Sequence, residues 1–147
     1  MKRLQSLSIE EVKYLAFHLA NKHLSFSEPI PDFSTRFPNI LESCLATPFQ
    51  SFSKKSLYPN FISKTSILFY LMIKNHPFQN GNKRIAITTL FVFLYKNGKW
   101  LNVDTKTLYD FAIWVTTSQS RLKDPTCKAI EKFIKDYITE LDKTNEK

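Results

Sequence analysis

Glycine is almost missing from this chain. A chain of 147 residues would ordinarily hold roughly ten, at about 7 %; this one holds two, Gly81 and Gly98. That excludes a fold built on many tight turns and favours a helical domain. Cysteine is also scarce. Cys44 and Cys127 stand alone, with no CxxC pair and no zinc spacing, so the expectation is two reduced thiols in a cytosolic protein. No apolar run approaches the ~18 residues that a membrane span needs. The longest, Ile85 to Tyr95, is broken by Thr88-Thr89 and bounded by Lys83-Arg84 and Lys96. The opening residues Met1-Lys2-Arg3-Leu4-Gln5-Ser6 lead into charged sequence, so no signal peptide is expected.

What is present points to a real core. Apolar residues make up 43 % and aromatics 14 %, which argues against disorder. The length fits one domain over 1–147, with an ordered core at about 7–141 and a polar tail, 142–147, expected to fray. The net charge of +8 favours anionic partners such as nucleotide phosphates, nucleic acid or an acidic protein. The lysines are scattered, which fits a solvated surface better than a nucleic-acid stripe.

Along the chain, Ser8 with Glu11 reads as a capping box. Val12, Leu15, Ala16, Leu19 and Ala20 then continue a helical period to about His23. His18 and His23 lie off one face and read as surface or packing residues. Pro29, Pro31 and Pro38 mark residues 24–38 as loop. A short helix is expected over Asn39–Ala46. Residues 47–59 lack helical period and fit a short hairpin or flap whose aromatics either dock another chain or pack on the domain. Phe61 to about Lys74 and Ile85 to about Asn97 are apolar nearly all round, as buried helices are; they are the expected central pair. Gly98 fits the C′ position that ends the second. Asp104 is expected to cap a helix carrying Leu108, Phe111, Ala112 and Val115. Asp124-Pro125 is expected to start a last helix whose stripe runs from Ile130 through Ile138 to Leu141.

Between the central helices lies His76-Pro77-Phe78-Gln79-Asn80-Gly81-Asn82-Lys83-Arg84. Pro77 disfavours helix at His76, Gly81 permits a tight turn, and Asn82 or a neighbour reopens the helix. A helix start offers free N–H groups and a positive dipole end to an anion. Lys83 and Arg84 place two cations in that first turn, against the dipole, a local violation of the kind found at functional sites. An imidazole at the edge of such a site can take a hydroxyl proton while the helix start and cations stabilise phosphate charge. Arg84 can grip a phosphate through two N–H groups, and Lys83 acts as a point charge. Phe78 reads as the apolar anchor of the loop.

His76-Pro77-Phe78-x-x-Gly81-Asn82-Lys83-Arg84 resembles the signature loop of Fic/Doc proteins, most nearly the Doc (death-on-curing) branch. Ser8-Ile9-Glu10-Glu11-Val12, the stretch Leu41 to Pro48, Tyr58-Pro59 and Phe93-Leu94-x-x-Asn97-Gly98 support the likeness, which covers about residues 7–140. The resemblance implies an all-α Fic fold, with the helix pair joined by the loop and a short β-hairpin-like flap. It implies transfer of part of ATP to a protein hydroxyl, with Mg2+. By position, His76 resembles the base, Gly81 and Asn82 the anion hole, and Asn80, Lys83 and Arg84 further phosphate contacts. The segment with Pro48, Phe49 and Tyr58 resembles the flap that aligns the target backbone. Lys83, where adenylyltransferases of the family typically have Gly, is a Doc-type feature. It implies a toxin that transfers the terminal phosphoryl group to a translation factor such as elongation factor Tu, held in check by an antitoxin chain. Adenylyl transfer and a non-catalytic nucleotide- or protein-binding module are the alternatives. Asn80 stands where the family usually carries a magnesium-holding Asp or Glu, and a neutral amide should bind that hard cation less well. The self-inhibition motif of some members is incomplete here: Ser6-x-x-x-Glu10 is followed by Glu11.

Overall fold

The computed structural model describes residues 4–23 and 32–141. Residues 1–3, the stretch 24–31 with Pro29 and Pro31, and the tail 142–147 lie outside them. The chain is all-α, with two minimal antiparallel strand pairs.

The first helical stretch begins at Ser8, whose hydroxyl accepts from Glu11 N–H while the Glu11 carboxylate accepts from Ser8 N–H. It is not one regular α-helix. Ile9–Glu11 (α1) gives way to a π-wound segment, Val12–Phe17, before His18–His23 (α2). The Thr88 hydroxyl donates to Ala16 O at 2.6 Å from the neighbouring central helix. A hydroxyl inserted into the carbonyl ladder in this way is a physical cause for the altered winding. His18 is exposed; the side chain of His23 is outside the described set.

A 3-10 turn at Phe33–Thr35 leads to α3 (Pro38–Ala46), which opens on proline one residue earlier than Asn39. After a second 3-10 turn, Thr47–Phe49, the expected hairpin forms from β1 (Ser51–Phe52) and β2 (Lys55–Ser56). Its two turn residues, Ser53 and Lys54, have φ of 52° and 67°. Two left-handed residues suit a tight hairpin turn, but neither is the Asn or Gly that usually takes that conformation.

The central pair is α4 (Phe61–Lys74) and α5 (Asn82–Lys96). Residues 64–73 of α4 are all buried. α4 packs most extensively on α5 and then on α7 (Lys123–Tyr137), so it forms the axis of the core. Gly98, with φ +78°, ends α5, and its N–H donates to Tyr95 O.

Three expectations about the C-terminal third need correction. Asp104 occupies the N-cap position of α6 (Thr105–Thr117), yet its side chain makes no capping bond. α7 starts at Lys123, not at an Asp124 cap, because a 3-10 turn at Ser120–Leu122 runs straight into it. The Thr126 hydroxyl donates back to Leu122 O, which draws the preceding turn into the helix. α7 ends at Tyr137, and Ile138–Glu140 forms β4, paired with β3 (Lys99–Leu101). Ile138 and Leu141 therefore leave the helical stripe to which their spacing assigns them.

Candidate active site

The loop between α4 and α5 is built around an aromatic foot. Phe78 is buried, with ring centroids 5.8 Å from Phe17 and 5.7 Å from Phe33. Phe17 closes the π-wound segment, so that winding helps set the ring on which the loop stands. Phe37 N–H donates to Pro77 O at 2.8 Å and ties down the other side.

Asn82 fixes the inner geometry. Its Oδ1 accepts from Phe78 N–H at 2.9 Å and its Nδ2 donates to Phe78 O at 2.8 Å. The amide is thus locked in orientation, and Nδ2 also lies 3.4 Å from His76 Nδ1. That contact is long and steers the imidazole rather than gripping it. His76 is exposed and has φ +50°, a left-handed conformation uncommon for a residue with a side chain. Strained backbone of this kind clusters at active sites.

Gly81, with φ +75°, is the N-cap of α5, and no side chain caps that end. An uncapped start leaves its first-turn N–H groups to water or a ligand. Beside it lies a cleft of about 210 Å³ lined by Ile73, His76, Gln79, Asn80, Gly81, Asn82, Lys83 and Thr116. His76, Asn80, Gly81, Asn82 and Lys83 therefore converge on one cleft. Arg84 is not among the residues that line it; it is buried, at 3 % exposed. Arg84, three positions after the N-cap glycine, faces a different side of the helix from Lys83.

Thr116 escaped the sequence reading. It lies on α6, and only tertiary packing brings it to the cleft. Behind it, Lys74 Nζ donates to Thr116 O at 3.2 Å and Ser118 O at 2.5 Å, closing the C-terminal end of α6.

The flap is held from below by another residue that the sequence reading did not single out. Lys64 is 7 % exposed, and its Nζ donates to Pro48 O, Ser56 Oγ and Tyr58 O. It also lies 5.0 Å from the centroid of the Phe49 ring. Burial pushes its pKa down. A lysine in the first half of a helix that is apolar nearly all round was the available signal. Pro48 is buried, and Phe49 packs edge-on against Phe93 at 6.3 Å. Tyr58 is half-buried. The exposed apolar side chains of the flap are instead Phe52 and Leu57, with Phe52 74 % exposed.

The donor set does not fit a magnesium ion held by the protein. None of the cleft-lining residues is acidic, and no group of three or more His, Cys, Asp or Glu among the described residues could hold a metal. Asn80 Oδ1 accepts from Gly81 N–H at 2.9 Å. Magnesium is ordinarily bound through one or two carboxylates together with substrate phosphates.

No helix among the described residues is long and apolar enough to cross a membrane. No curated protein and no solved structure matches the chain. A family model does: that of the Fic/DOC family, over residues 6–94, more than half of the chain and all of the loop just described. The chain belongs to the Fic/DOC family, whose members are typically nucleotidyl- or phosphotransferases acting on proteins.

Proposed function

We propose that the protein transfers the terminal phosphoryl group of ATP to a hydroxyl of a target protein. The observation that carries this is the exposed His76, steered by the locked Asn82 amide and set beside an uncapped helix start with Lys83 in its first turn. In this reading a neutral ring nitrogen of His76 takes the proton of the target hydroxyl. The hydroxyl oxygen bonds to the γ-phosphorus, the bond to the β-γ bridging oxygen breaks, and ADP leaves. The α5 N-terminus and Lys83 stabilise charge on the phosphate oxygens. The β1–β2 hairpin orients an extended segment of the target. The proposal extends to a toxin of the Doc type, with a translation factor such as elongation factor Tu as target and a separate antitoxin chain.

Adenylyl transfer is the second reading, since the same loop serves either phosphorus; Lys83 favours the terminal one. A third is a nucleotide- or protein-binding module without turnover, favoured by the absence of an acidic residue from the cleft lining. Incubating the protein and host lysate with ATP labelled at the α or the γ phosphate, with and without magnesium, separates the three. A γ-labelled protein band that falls at least ~100-fold in His76→Ala, the range expected for loss of a general base, is the expected result. An α-labelled band moves the assignment to adenylyl transfer, and no band with either label, while nucleotide still binds, moves it to the module.

A further inference from the structure

The cleft assigned to the nucleotide balances charge in an unusual way. Its lining has no carboxylate and its one side chain of fixed charge is Lys83. The amide oxygen of Asn80, where a metal ligand would be sought, faces the Gly81 N–H. Lys83 is only partly exposed, and the four ion pairs among the described residues use Lys96, Lys99, Lys106 and Lys132 instead. The negative field of the α6 end beside the cleft is countered as well. A helix C-terminus carries roughly half a negative charge, and Thr116 brings that end of α6 to the cleft. The Lys74 ammonium occupies its carbonyls from behind.

We infer that this cleft binds a polyphosphate through fixed protein cations, without a divalent ion held by the protein. Lys83 and the α5 N-terminus supply the countercharge, and Lys74 removes the repulsion of the α6 end. The inference rests on the proposed nucleotide site and adds to it a cation requirement. A carboxylate in the Asn80 position would reverse the balance: it would repel a bare polyphosphate and recruit the metal. Aspartate keeps the oxygen that accepts from Gly81 N–H, so that contact survives the exchange.

Calorimetric titration of the full chain with inorganic triphosphate, in EDTA and in magnesium chloride, tests this without any need for turnover. The expected result is that the parent protein binds at least as tightly in EDTA as in magnesium. Lys83→Met should weaken binding in EDTA about tenfold, the scale of one lost charge-assisted contact. Asn80→Asp should weaken it in EDTA and become magnesium-strengthened. Parent binding that appears only with magnesium overturns the inference and leaves the nucleotide site standing, as does an unchanged affinity in a folded Lys83→Met. No binding in either buffer overturns the nucleotide reading itself. The comparison of buffers on the parent needs no substitution, so a variant that fails to fold does not shelter the proposal.

Discussion

Single side chains in this core are of two kinds: those whose polar atoms are spent, and those left over. Thr88 is spent on Ala16 O, and Asn82 on the Phe78 peptide. Thr89, its neighbour on α5, is fully buried and its hydroxyl has no hydrogen-bond partner among the described residues. An unsatisfied buried hydroxyl costs about 1–3 kcal/mol. Thr89→Val keeps the shape and removes that cost, so it should raise stability by about 1 kcal/mol, read as a higher urea midpoint at unchanged m-value. The same exchange at Thr88 should destabilise, since it removes the bond to Ala16 O. The loop residues were legible in the sequence because seven kinds of side chain with defined roles stand within nine positions. That Arg84 is buried and absent from the cleft lining was not legible, because the linear motif says nothing of which side of α5 each position faces. Thr116 was invisible because its only link to the loop is the packing of α6.

At the scale of elements, the hairpin is the least self-sufficient piece. Two residue pairs make up its ladder, and its turn holds Ser53 and Lys54 in left-handed backbone. Lys64 supplies what the ladder lacks by joining Pro48, Ser56 and Tyr58 to α4. Lys64→Met should leave α4 intact and loosen the hairpin. Amide exchange over residues 50–58 should quicken about tenfold or more while that of 65–73 stays slow; unchanged exchange in the hairpin would sink the clamp. The central helices and the hairpin were readable in advance for different reasons. Residues 61–74 and 85–96 are apolar nearly all round, as buried helices are, and 47–59 has the lack of any helical period. Ile138-Thr139-Glu140 was read as helix because Ile138 and Leu141 extend the stripe of α7. Pairing with β3, a tertiary event, decides otherwise. The π-wound segment was equally hidden, since its cause is a hydroxyl that lies seventy-two residues away in sequence.

For the molecule as a whole, the two thiols contribute to a loss of stability at alkaline pH. Burial pushes Cys44 up from 9.0 to about 12. Burial is also the first cause at Cys127, which rises from 9.0 to about 11. A raised pKa in the fold means that the unfolded chain gives up its proton first. The stabilising contribution is therefore complete below pH 9 and is lost between pH 9 and 11–12, at about 1.4 kcal/mol per pH unit for each thiol. Lys64 works the other way: burial lowers its pKa, so its contribution rises as pH climbs toward 10.5. Urea unfolding from pH 8 to 11 should show a falling free energy of unfolding, with a shallower slope in Cys44→Ala whatever that variant loses at pH 8 through its cavity; an identical slope would dismiss Cys44 as the source. The π-wound stretch Val12–Phe17 adds a constraint of a different sort, on length. Ahead of it the chain is moored to the end of α5, with Gln5 on Asn97 and both Ser6 and Glu11 on Lys96. Behind it, Phe17 stands against Phe78. Removing one residue between these moorings would turn one half of the helix by about 100° against the other. Among descendants of this chain, substitutions at Lys13, Tyr14 and Leu15, which are exposed, should accumulate freely while deletions there should not: the sequence in this stretch is free to drift, but its count is fixed.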